Sequence, residues 1–515
     1  MATEKPGVHA HDEDVLAPGD QRNPEYKERP PVSNHPLNGL RLAGLLAGPI
    51  VAILLLLAPE PEGMPTEAWR LVAMAVWMVI WWLSESVPIP ATALLPIVLM
   101  PLLGIDKIGP VAANYGHPLI YLFLGGFLLA AGMQRVGLHR RIALRIVGVV
   151  GSSPSRIILG FMIATAFLSM WISNTATTIM MYAVGLSVID FVARKTDDEA
   201  MVRNFGVALM LAIAYSASIG GVGTLIGTPP NALLASFLQN TYKIEISFFS
   251  WMLIGVPVVA VMLPFAWLIL TRLLFPAHRI AIDDPGSVVE RELAALGSMS
   301  RGEKLVGIVF LGAAASWILR GPLAKLTGLP LDDTIIALTA ALLLFAVPIS
   351  RARGEFALDW EAARNVPWGV LLLFGGGLAL ASGFGSTGLA KWIGGAVAGV
   401  EISTIMLVLL VTVAIVYLTE ITSNTASTAT FLPILGAVAV GLGLDPRILT
   451  VPVALAASMA FMMPVATPPN AIVFSYEKMK LSDMVRAGFL LNLVAIAASF
   501  GLFVLLGGFV FGLKF

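Results

Sequence analysis

Trp171-Ile172-Ser173-Asn174-Thr175-Ala176-Thr177-Thr178 interrupts an apolar stretch that runs from residue 157 to 193. The interruption is polar but carries no charge. Before the stretch stand Arg135, Arg140, Arg141, Arg145 and Arg156; after it stand Arg194, Lys195 and Arg203. Lys and Arg gather in the cytoplasmic loops of membrane proteins, so both flanks belong on one side. A single crossing cannot begin and end on the same side. Two crossings need about 40 apolar residues plus a turn, slightly more than the stretch offers. A re-entrant hairpin over 157–193, with its tip at Ser173–Thr175, satisfies both constraints. Residues 403–441 repeat the pattern around Thr422-Ser423-Asn424-Thr425-Ala426-Ser427-Thr428, and only Lys391 and Arg447 flank them. That second hairpin therefore enters from the opposite, external side.

Composition agrees with a membrane setting. The 515 residues are 57% hydrophobic and 12% charged, against about 45–50% apolar and 25% charged in soluble chains. An ordinary soluble enzyme and a disordered protein are excluded. Long unbroken apolar runs, in place of alternation over about 10 residues, exclude a transmembrane barrel. Basic and acidic residues balance at 32 each, which gives no electrostatic basis for a nucleic-acid partner. The absence of cysteine rules out disulfides and thiol chemistry. No nucleophile–base pair or phosphate loop stands out, so neither an enzyme nor an ATP-driven pump is expected.

Working outward, residues 1–38 read as a disordered cytoplasmic tail. Crossings are expected near 42–58, 67–87, 89–104, 117–134, 204–239, 249–274, 305–320, 332–349, 367–389, 448–476 and 487–510. The fold class is thus an all-α polytopic membrane protein with about eleven transmembrane helices and two opposed re-entrant hairpins. The charge pattern places the N-terminus in the cytoplasm, the C-terminus outside, and 276–304 in a cytoplasmic loop.

The chain also repeats itself. Ser173-Asn174-Thr175-Ala176 recurs as Ser423-Asn424-Thr425-Ala426, and Thr228-Pro229-Pro230-Asn231-Ala232 recurs as Thr467-Pro468-Pro469-Asn470-Ala471. Because the hairpins face opposite sides, 39–275 and 305–515 read as inverted repeats, the architecture of secondary transporters. Each Pro-Pro pair sits inside an apolar span. It removes two backbone donors and forces the preceding threonine out of helical geometry. Helices broken within 204–239 and 448–476 follow. Unwound backbone survives at membrane depth only around a cavity or inside protein. There its carbonyls suit a small hard cation and its half-helix N-termini suit an anion. No Lys, Arg or His occurs in 157–193, 204–242, 404–446 or 448–477. An anionic substrate would then need helix dipoles and co-transported cations to offset its charge.

Glu85, in Ser84-Glu85-Ser86, reads as a wet interfacial carboxylate. Glu420, at predicted membrane depth, is a candidate for a structural or coupling role. Trp77, Trp81 and Trp82 read as an interfacial belt or packing surface, and Gly125-Gly126 and Gly375-Gly376-Gly377 as places of close helix approach.

With its paired Ser-Asn-Thr and Thr-Pro-Pro-Asn motifs, the chain from about residue 40 onward resembles the divalent anion/sodium symporter family. Members of that family carry dicarboxylates, citrate or sulfate. The resemblance implies eleven spans, two re-entrant hairpins, a homodimer in the cell membrane and an elevator-type movement. It implies a first sodium site at Ser169, Ser173, Asn174 and the carbonyl of Gly227. It implies a second at Thr419, Asn424 and the carbonyls of Thr422 and Ala466. Substrate carboxylates would meet Asn174, Thr175, Asn424 and Thr425, with Thr228, Thr467 and Pro468 nearby. Sodium serves as coupling ion, and no other cofactor is implied. The reading is import of C4-dicarboxylates such as succinate, malate or fumarate with sodium. The alternatives are a sodium-independent di/tricarboxylate exchanger and a sulfate or citrate symporter.

Overall fold

The computed structural model describes residues 39–151, 153–196, 198–276, 287–399 and 401–515; the tail assigned to 1–38 lies outside them. Among the described residues the fold is helical, apart from one antiparallel ladder joining Pro348–Ser350 to Glu355–Phe356. Eight helices among the described residues are long and apolar enough to cross a membrane, and Arg301–Ile318 with Arg320–Thr327, bent by 88°, makes a ninth candidate. Shorter apolar helices occupy most of the remaining expected crossings.

Both hairpins form as helix–break–helix units. The first pairs Pro154–Ser169 with Asn174–Ala193, and the second pairs Thr404–Thr419 with Asn424–Gly441. Ser173 starts the returning arm of the first by accepting the Ala176 N–H at 3.3 Å, the usual task of an N-cap serine. The broken helices form as well. Glu199–Gly221 resumes at Pro229–Phe237, and Arg447–Ala457 resumes at Pro468–Phe474. Thr228 (φ −146°, ψ 145°) and Thr467 (φ −142°, ψ 148°) are both extended, as a residue before proline must be. These broken helices are the centre of the molecule: residues 205–228 and 448–461 are buried without interruption.

Close backbone approach holds the breaks in place. A Cβ on Gly488 would lie 2.3 Å from the Phe461 carbonyl oxygen, and one on Gly255 would lie 2.5 Å from that of Val222. Each unwound segment is therefore backed by a glycine of the helix that follows, in Leu481–Phe511 and Phe248–Leu268 respectively. The glycine pairs expected to permit close approach do so, Gly125 against Ala337 and Gly376 against Ala93. The tryptophan cluster is a packing surface: Trp82 is buried, and Trp77 meets Trp81 edge-on at 5.3 Å.

Four segments differ from expectation. The crossing expected at 89–104 is two short helices, Ile89–Thr92 and Leu95–Leu102; Pro88, Pro90, Pro96 and Pro101 remove donors along it. Leu138–Val150 and Leu389–Val397 are helices, each entered through a glycine with left-handed backbone, Gly137 (φ 76°) and Gly388 (φ 80°). They are too short to register as spans, and each precedes a hairpin. Ser287–Ala295 forms a further helix inside the expected 276–304 loop.

The helix Leu138–Val150 is fastened by a buried ion pair. Arg141 donates through Nε to Glu303 Oε1 at 2.5 Å and through Nη1 to the Gly297 carbonyl at 2.8 Å. Removing one partner leaves the other charge buried and unpaired. Arg141→Ala is therefore expected to cost about 3–5 kcal/mol, read as a fall in the unfolding temperature of the purified protein in detergent.

Candidate functional site

The two tips and the two breaks meet around one chamber of about 600 Å³. Its wall includes Ser173, Asn174, Thr175, Gly227 and Thr228 from the first half, and Ser423, Asn424, Thr425, Ala466, Thr467 and Pro468 from the second. Four helices begin at this wall: those starting at Asn174, Pro229, Asn424 and Pro468. Each helix start carries a positive partial charge, although the starts at Pro229 and Pro468 lack the N–H groups of their first two residues, which are prolines. No Lys, Arg or His side chain lines the chamber among the described residues. A second cavity of about 370 Å³ adjoins it through shared Phe127, Ser173 and Pro367, and is lined also by Gln134, Arg135 and Asn365.

Behind each tip lies a knot of oxygens. Ser169 Oγ is 2.6 Å from the Asn174 side-chain amide and 2.7 Å from the Ala217 carbonyl oxygen. A hydroxyl has one proton to give. If Ala217 takes it, the amide must turn its nitrogen toward Ser169, where it also reaches the carbonyls of Gly227 and Ala217 at 3.2 Å each. With the amide turned the other way, four oxygens share that single proton, and a small hard cation would relieve their repulsion. The second half repeats the knot. Thr419 Oγ1 lies 2.5 Å from Asn424 Oδ1 and 3.0 Å from the Ala457 carbonyl oxygen. Ala217 and Ala457 sit near the carbonyl ends of the first half-helices, whose negative partial charge favours cations.

The correspondence extends into the breaks. The Asn231 amide donates to the carbonyls of Gly221 (3.2 Å) and Thr224 (2.8 Å). Asn470 donates to those of Ala460 (3.3 Å) and Met463 (3.0 Å), at the same sequence separations. One position breaks the correspondence. Where the first half has Met170, the second has Glu420, which is buried. Its carboxylate accepts the N–H groups of Phe461 (2.7 Å), Met462 (3.0 Å) and Met463 (3.1 Å), and Nδ2 of Asn492 (2.8 Å). A carboxylate accepts only, with room for about four donors, so these four partners satisfy it. On the first side the caps are donors instead: Thr224 Oγ1 reaches the Met170 carbonyl at 2.5 Å, and Trp251 Nε1 that of Val222 at 2.9 Å.

Of the residues singled out from sequence, Ser173, Asn174, Thr175, Gly227, Thr228, Asn424, Thr425, Ala466, Thr467 and Pro468 share the chamber wall. Ser169 and Thr419 are fully buried one layer behind it. The hydroxyl of Thr422 is turned to the Leu418 carbonyl and to Ser427 Oγ. Sequence reasoning missed the apolar part of the wall: Ile89, Phe127, Ile226, Pro367, Val370 and Val465. No motif marks these residues, although Phe127 follows the Gly125-Gly126 pair. It also left Glu85, which stands in the wall, as an interfacial group.

Paired hairpin tips facing paired broken helices across one chamber define a membrane transporter architecture. The chain matches the sodium:sulfate symporter transmembrane region over residues 40–512 and belongs to that family. It is 42% identical over 497 residues to the sodium-dependent dicarboxylate transporter SdcS of Staphylococcus saprophyticus, covering 93% of this chain and 94% of that one. SdcS of Staphylococcus aureus is 42% identical over 469 residues, 89% and 90% of the two chains. Among solved structures the fold is similar to that of the Alcanivorax borkumensis YdaH transporter, with a TM-score of 0.57 at 15% identity, over 87% of this chain and 99% of that one. It is also similar to Neisseria gonorrhoeae MtrF, with a TM-score of 0.54 at 12% identity, over 88% and 96%.

Proposed function

We propose that this protein imports C4-dicarboxylates such as succinate, malate or fumarate together with sodium. The observation that carries the reading is the chamber's electrostatics. Four helix starts supply partial positive charge, no cationic side chain among the described residues lines the chamber, and an oxygen knot stands behind each tip. A dianion could settle there once cations occupy the knots. The relatives named sodium-dependent dicarboxylate transporters support both ligands.

In this reading, Ser169, Asn174 and the Gly227 carbonyl hold the first sodium, with Ser173 at the turn. Thr419, Asn424 and the carbonyls of Thr422 and Ala466 hold the second. The carboxylates of the substrate rest on Asn174, Thr175, Asn424 and Thr425. Thr228, Thr467 and Pro468 shape the space between them. The halves 39–275 and 305–515 act as inverted repeats, with the N-terminus cytoplasmic. Sodium binds first, and the hairpins and broken helices then move as one body against the remaining helices of a homodimer.

Purified protein in liposomes tests this. With an inward sodium gradient, labelled succinate is expected to enter empty vesicles, and replacing sodium by potassium is expected to cut the rate at least about tenfold, a coupling within the usual range. Uptake only into succinate-loaded vesicles, indifferent to sodium, would make the protein an exchanger and overturn the reading.

A further inference from the structure

The chamber wall holds one ionisable side chain among its described residues, and that side chain is negative: Glu85. Glu85 ends the helix Thr66–Ser84 with φ 47° and ψ 33°, left-handed backbone that non-glycine residues avoid. Such backbone persists only where its surroundings hold it. Here Ser84 Oγ bonds the Ile80 carbonyl and Ser86 Oγ, both at 2.6 Å, and fixes the turn on either side of Glu85. Arg41 Nη2 stands 3.5 Å from Glu85 Oε2, with the carboxylate side chain 52% exposed. So an acidic residue stands in the wall of a chamber that otherwise suits anions, and an arginine from the first helix partly offsets it.

Repulsion between Glu85 and a bound anion grows in proportion to the anion's charge. Two bound cations would neutralise a dianion but leave a trianion with one charge still facing Glu85. We propose that the Arg41–Glu85 pair is a charge filter that sets the preference for dianionic over trianionic carboxylates. The inference rests on the transport reading above and adds the substrate's permitted charge. It also explains a strained acidic residue that the symmetric site at the hairpin tips does not use. The water around a half-exposed pair screens the effect to a few-fold, which suits discrimination between substrates.

The test measures sodium-driven uptake of labelled succinate and labelled citrate into proteoliposomes at one mildly alkaline pH, where citrate is a trianion. Glu85→Gln is expected to raise the citrate-to-succinate ratio about three- to tenfold, the equivalent of weakening one screened charge contact. Arg41→Gln is expected to move the ratio the opposite way. Glu85→Asn serves as the second variant, since asparagine tolerates left-handed backbone and removes the same charge. An unmoved ratio in Glu85→Gln or Glu85→Asn, with succinate uptake retained, would overturn the filter alone. Uptake of neither anion by the unaltered protein would overturn the transport reading, and the filter with it.

Discussion

Alanine at Asn174 is expected to reduce sodium-driven succinate uptake at least about a hundredfold, and alanine at Asn424 to do the same. Each amide has two duties. One end faces a buried oxygen knot, 2.6 Å from Ser169 Oγ in the first half and 2.5 Å from Thr419 Oγ1 in the second. The residue itself lies in the chamber wall at the start of a helix. In the proposed transport reading, truncation removes a cation ligand and a substrate contact together. Hydrogen bonds to charged groups contribute about 1.5–3 kcal/mol each, and about 2.8 kcal/mol is a factor of a hundred. In the same reading Ser169→Ala and Thr419→Ala remove the ion-side partner only, so they are expected to shift the sodium dependence more than the succinate dependence. Sodium titrations at saturating succinate check this. Full activity with unchanged sodium dependence in Asn174→Ala would reduce the tips to helix packing.

Leucine at Glu420 is expected to prevent accumulation of folded protein. Leucine is close in size but leaves three backbone N–H groups and the Asn492 amide without their acceptor in a buried place. Each buried, unsatisfied donor costs about 1–3 kcal/mol, and the four together approach the whole stability of an ordinary domain, about 5–15 kcal/mol. Glu420→Gln keeps one acceptor oxygen and turns an NH2 group against N–H groups, so an intermediate loss is expected. Yield of monodisperse protein and unfolding temperature in detergent measure the effect. Hydrogen exchange across residues 458–467 should rise first, because that segment loses its clamp. Normal stability in Glu420→Leu would show that water or a rearranged backbone takes over the carboxylate's task.

Much of this organisation was legible in the sequence because its causes are local. Flanking arginines made 157–193 a hairpin, and Pro-Pro after threonine announced each unwound segment. The tip residues could be located because their types recur 250 residues apart. What escaped depended on density or distance. Four prolines in 88–101 left the segment apolar, so hydropathy did not show that its helix is divided into Ile89–Thr92 and Leu95–Leu102. The helices 138–150 and 389–397 have no length signature. Glu420 could be placed at membrane depth but not explained, because its partners lie 41 to 72 residues further along the chain. Glu85 looked interfacial because nothing nearby in sequence shows that its turn borders a chamber built from the hairpin tips.

The clamp at Glu420 has a bearing on how the molecule is made. Asn492 is translated 72 residues after Glu420, roughly 4–14 s later at ribosomal speeds of about 5–20 residues per second. Until the helix Leu481–Phe511 arrives, the carboxylate lacks one of its four partners, and the glycine face that backs residues 461–462 does not yet exist. The second half of the chamber is therefore completed last.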